Sequence, residues 1–109
     1  MFETEDFKKQ LDTAVSRETG SSGLKEYETQ IIDRLQRLAS ENESSLMDSE
    51  VRKVASERRG IPDALNSARE LTRAASRYAL AEKRTVLKMS DIEAAYKEKF
   101  CQVWPFCKQ

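Results

Sequence analysis

The sequence predicts an all-α fold, and three observations carry that prediction. Charged residues make up 35% of the chain against 39% hydrophobic ones, a balance suited to helices with one solvated and one apolar face. Glycine and proline are scarce, 3 and 2 in 109 residues, which disfavours turn-rich sandwiches and barrels. Apolar residues also recur at the 3.6-residue helical period through most of the chain. The length gives room for one domain with a modest core.

Phe7, Leu11, Ala14 and Val15 mark a short amphipathic helix over 4–17. The stretch Glu18-Thr19-Gly20-Ser21-Ser22-Gly23 reads as a linker, because it holds two glycines and two serines. Residues 1–23 are therefore expected as an N-terminal helix and linker, 24–100 as the helical domain, and 101–109 as an apolar tail. Ile31, Ile32, Leu35, Leu38 and Ala39 share one face of a helix over about 25–41. Asp48 is a candidate cap for the next helix, where Met47, Val51, Val54 and Ala55 share a face. Gly60-Ile61-Pro62 implies either a kinked long helix or two helices, since proline is tolerated at a first helical turn but not in an interior. From Ala64 the alanine-rich face continues through Leu65, Ala68, Leu71, Ala75, Tyr78 and Ala79. After the extended connector Lys83–Met89, Ser90 and Glu93 form a candidate capping box for a last helix. Ile92, Ala95, Tyr96 and Phe100 would face inward. No internal repeat is visible at this level.

Histidine is absent, which removes the commonest general base and the commonest zinc ligand. No phosphate-binding glycine loop and no nucleophile elbow occur, and the serines and cysteines have no histidine to activate them. No enzyme activity, no catalytic residue, no cofactor and no metal are expected. Cys101 and Cys107 match no zinc spacing and read as reduced thiols, with a loop-closing disulfide as the alternative. No apolar run is long enough to span a membrane and no signal-peptide core follows Met1, so a soluble cytoplasmic protein with no membrane partner is expected.

Net charge is zero, but its distribution is uneven. Residues 1–50 carry 12 acidic and 6 basic side chains, whereas residues 51–109 carry 7 acidic and 13 basic ones. Such asymmetry fits contact with nucleic acid or self-neutralisation of the two halves. Arg52 and Lys53 lie on one helix, with Arg58 and Arg59 at its end. Arg69, Arg73 and Arg77 recur every four residues on the next, and Lys83, Arg84 and Lys88 crowd the connector. A stripe beside a basic loop suits successive phosphates, and it equally suits an ordinary solvated face with Glu70 and Glu82 nearby.

The run from Ala79 to Ala95, with its basic loop, its extended pair and its helix opening on Asp91-Ile92, resembles the second half of a histone-fold domain. The resemblance implies a short helix, a long central helix over Asp48–Lys83 and a final short helix, preceded here by an extra N-terminal helix. It implies that Arg84 pairs with Asp91 to brace the loop, and that Leu65, Ala68, Leu71, Ala75 and Tyr78 form the core of a handshake dimer. Val86 stands where many family members carry threonine. The helical lid of AAA+ ATPases is similar in pattern, although this chain has no phosphate-binding loop.

The histone resemblance implies non-specific binding of double-stranded DNA by a homodimer, homo-oligomer or heteromeric histone-fold pair, with a nucleoid or nuclear location. Arg52, Lys53, Arg69, Arg73, Arg77, Lys83, Arg84 and Lys88 would contact phosphates. The alternative is a non-enzymatic helical adaptor, histone-fold-like or lid-like, that works through protein contacts. Zero net charge and the apolar Val103, Trp104 and Phe106 favour it.

Overall fold

The computed structural model describes the backbone of residues 2–43 and 50–103, and the side-chain surroundings of 2–41 and 61–99. The elements in chain order are α1 (Glu5–Ser21), β1 (Glu26–Tyr27), α2 (Gln30–Glu43), α3 (Glu50–Ala81), β2 (Val86–Leu87) and α4 (Met89–Val103). The fold is mostly helical, as the composition predicts. The two short strands pair in parallel, Glu26 with Val86 and Tyr27 with Leu87. Among the described residues no helix is long and apolar enough to cross a membrane.

The first helix starts where Thr4 accepts the Phe7 amide at 3.1 Å, a side-chain cap for a free first-turn donor. It then runs four residues past its expected end, so the Gly/Ser stretch is not a linker. Thr19 holds the last turns together by donating to the Val15 and Ser16 carbonyls from a buried position. Only Ser22 and Gly23 turn the chain. Phe7, Leu11, Ala14 and Val15 are buried with the residues of α2, α3 and α4, which makes α1 a wall of the core and not an appendage. Phe2 is also fully buried, its ring tilted against Phe7 with centroids 5.0 Å apart. Gln36 fixes that end by donating to the Phe2 and Thr4 carbonyls at 2.7 and 3.0 Å.

The second helix begins at Gln30, not near Lys25. Backbone pairing wins over helix propensity here: Lys25 and Glu26 donate to the Thr85 carbonyl, and Glu28 donates to that of Leu87. The third helix continues unbroken past Gly60-Ile61-Pro62, with proline inside it. At the start of α4 the capping group is Asp91, whose carboxylate accepts the Lys88 amide at 2.9 Å. The proposed Ser90–Glu93 box does not form, because Glu93 is drawn to Arg34 on α2. Asp48 and Met47 lie outside the described residues.

The architecture is a repeat that the sequence reading missed. Helix, two-residue strand and helix occur twice, α1–β1–α2 and then α3–β2–α4, in a register offset by 60 residues. Helices α1 and α3 end at Ser21 and Ala81, and α2 and α4 end at Glu43 and Val103. Gly23 and Lys83 are the positive-φ residues among those described, at 88° and 59°. Both helices end in the same Schellman pattern: Gly23 to Gly20 and Leu24 to Thr19 in one, Lys83 to Leu80 and Arg84 to Ala79 in the other. The two units lie against each other through α1 on α3 and the shared ribbon.

Candidate interaction site at the ribbon

The basic connector leaves α3 at Lys83 in left-handed backbone, and this reversal aims Arg84 back across the ribbon. Arg84 meets Asp91 in a bidentate pair, with guanidinium nitrogens 2.9 and 2.7 Å from the two carboxylate oxygens. It also donates to the Val86 carbonyl at 3.2 Å and to Glu82 at 2.8 Å. Asp91 is nearly fully buried, its side chain only 4% exposed. Burial pushes its carboxyl pKa up, but the Arg84 guanidinium and the Lys88 amide outweigh burial and hold it below the usual carboxylate value. Arg84 is correspondingly raised, first by Asp91 and then by Glu82. A charge-assisted fork of this kind fixes the loop's shape. It also leaves the guanidinium committed inside the chain, with little left for a phosphate.

Lys83 and Lys88 are exposed on either side of that brace, and Lys25, just before β1 and bonded through its amide to the Thr85 carbonyl, is exposed too. No ion pair among the described residues engages these three lysines. Glu26, exposed on β1, and Glu82 at the end of α3 dilute the positive field at the same edge. Along α3, Arg73 and Arg77 are exposed and Arg69 is half-buried. Arg73 reaches Glu18 on α1 at 3.2 Å, so the middle of the stripe serves as a tie between the two units. Arg52 and Lys53 lie on the first turn of α3, but their side chains are outside the described set.

The residues assigned to a dimer core have a different cover. Ala68, Leu71 and Ala75 are fully buried and Leu65 nearly so, all within a cluster that also holds α1 and α4 of the same chain. Tyr78 is half-buried against that cluster, with its hydroxyl hydrogen-bonded to Glu98 on α4. Val103 is described only in backbone, and Trp104, Phe106 and Cys107 lie outside the described residues.

Polar ties that sequence reasoning missed hold the other side of the ribbon. The Glu28 carboxylate accepts the Met89 amide at 2.6 Å, joining the start of α4 to β1. Tyr27 hydrogen-bonds Asp12 on α1, and burial with that carboxylate pushes the phenol up to about 12. Arg34 pairs with Glu93 and stands 5.9 Å from the centre of the Tyr96 ring. No sequence motif marks these pairs, because each partner comes from a different element. Among the described residues no group of His, Cys, Asp and Glu side chains has the makings of a metal site. No protein-family model matches the chain, and neither a curated protein nor a solved structure matches it.

Proposed function

We propose that the protein is a non-enzymatic helical interaction module, closer in kind to a lid-like adaptor than to a stand-alone DNA packer. The observation that carries this reading is where the buried surface goes. The alanine- and leucine-lined face of α3 is covered by the chain's own first unit and by α4, so the core does not call for a handshake partner. The commitment of Arg84 to Asp91 and of Arg73 to Glu18 points the same way. So does zero net charge, since non-specific DNA affinity grows with the number of phosphates neutralised.

A second reading rests on one observation, the unpaired Lys25, Lys83 and Lys88 at the ribbon edge. Together with Arg69 and Arg77 they would form a phosphate track for duplex DNA. Fluorescence anisotropy of a labelled duplex at two salt concentrations separates the readings. The adaptor reading expects no salt-sensitive binding at micromolar protein. Micromolar or tighter binding that weakens steeply with salt, and is lost when Lys83 and Lys88 are both replaced by alanine, would overturn it in favour of DNA contact.

A further inference from the structure

We propose that the two helix–strand–helix units of this chain exchange between copies, so that the protein forms a dimer in which the first unit of one molecule pairs with the second unit of its partner. The inference rests on the equivalence of the units and is independent of the adaptor reading. The units match in helix ends, strand register, left-handed residue and capping hydrogen bonds at a constant offset of 60 residues. Their buried faces match too: Leu11 with Leu71, Ala14 with Ala74, Val15 with Ala75, and Ile32 with Ile92 are buried in both.

What joins the units non-covalently is a compact set of contacts. It comprises α1 on α3, the ribbon, and the ties Glu18–Arg73, Arg34–Glu93 and Glu28 to the Met89 amide. None of these contacts depends on the two units sharing one chain. Exchange therefore conserves them and changes only connectivity, and mass action then favours the dimer as concentration rises. Neither unit offers a complete core alone, since each supplies one helix pair and a single two-residue strand whose ladder partner lies in the other unit. A unit that has lost its own partner is thus a binding site for the equivalent unit of a second copy.

Charge reversal tests this on the full chain without touching the core. One variant carries R73E and E93R, which reverses the ties on the second unit. The other carries E18R and R34E, which reverses them on the first. Each variant alone sets like charges against each other across its own interface. In the exchanged heterodimer both interfaces regain opposite charges. When the two are unfolded together, refolded at high concentration and examined by native mass spectrometry, the heterodimer is expected in several-fold excess over either homodimer. Wild-type protein refolded in the same way should yield a dimer with the monomer's helical circular dichroism. Monomers only, at every concentration, would overturn the proposal. So would dimers in the proportions of random association, which indicate side-by-side contact of intact monomers. DNA binding is unaffected by either outcome, so the proposal and the adaptor reading fail separately.

Discussion

Asp91 holds the ribbon's second loop in place, since it takes two bonds from Arg84 and one from the Lys88 amide. Replacing it by asparagine removes the buried one of the guanidinium's two carboxylate partners and leaves only the exposed Glu82, and about 2–4 kcal/mol of stability is expected to be lost, read as a lower melting temperature. The pH dependence follows from the lowered folded-state pKa. The unfolded chain binds the proton more readily, so the stabilisation is complete above the ordinary carboxylate range and is lost as pH falls through the folded value. The gap in melting temperature between wild type and Asp91→Asn should be constant near neutrality and close in acid. Tyr27 behaves with the opposite sign at the other end of the scale. Its phenol is raised to about 12, so its contribution is complete below the ordinary tyrosine value near 10 and disappears as pH rises toward 12. Ultraviolet titration should show a late-ionising fraction that Tyr27→Phe reduces, while Tyr78, raised through its hydrogen bond to Glu98, remains in it. Lys83 sits in left-handed backbone at φ 59°, where its counterpart Gly23 carries no side-chain penalty. Lys83→Gly is expected to stabilise the fold by about 1 kcal/mol in chemical denaturation.

The helices were legible in the sequence because burial follows a period that can be counted. Phe7, Leu11 and Val15 lie on the buried face of α1, and Ile31, Ile32, Leu35 and Leu38 on that of α2. Helix ends were less legible, since they depend on local hydrogen bonds and not on periodicity. The Gly20-Ser21-Ser22-Gly23 stretch looks like a flexible joint, yet Thr19 and the capping bonds carry the helix through half of it. The connector at Val86-Leu87 read as extended, but β1 and the pairing were illegible for another reason: a two-residue strand has no alternation to detect, and its partner lies 60 residues away. Pro62 contradicts its element, since it cannot donate within α3 and a proline ring crowds the preceding turn, and Lys99, at φ −120° and ψ 16°, kinks α4. Pro62→Ala should raise both helical circular dichroism and stability, by about 1–3 kcal/mol.

The duplication is the least legible feature of the molecule, although it organises everything else. Aligned at the 60-residue offset, the units are identical at Leu11/Leu71, Ala14/Ala74, Ser16/Ser76, Arg17/Arg77 and Ile32/Ile92, and differ nearly everywhere else. Packing needs only volume and polarity to be kept, and the polar ties are free to diverge. They have diverged: Asp12 and Tyr27 hydrogen-bond in the first unit, where the second has Thr72 and Leu87, both buried, with the Thr72 hydroxyl unpartnered. The Arg84–Asp91 brace falls where the first unit has the buried Leu24 and Ile31. Of the residues singled out at the ribbon, the arginine and its aspartate were expected as a pair only through the resemblance of their segment to part of a histone fold. The commitment of Arg73 to α1 was not, because it depends on how the two units meet.

The brace has a consequence for the chain's vulnerability to proteases. Lys83-Arg84 is a dibasic dipeptide on a loop, a sequence that trypsin cuts readily when it is extended and free. In the folded protein the Arg84 side chain is only 19% exposed and pinned by four hydrogen bonds, so it cannot enter a protease's specificity pocket. Cleavage after Arg84 must then wait for the loop to open, and its rate reports the population of that opened form. Limited trypsin digestion should spare this bond in the wild type and cut it early in Asp91→Asn, which makes this dibasic loop a built-in gauge of its local stability.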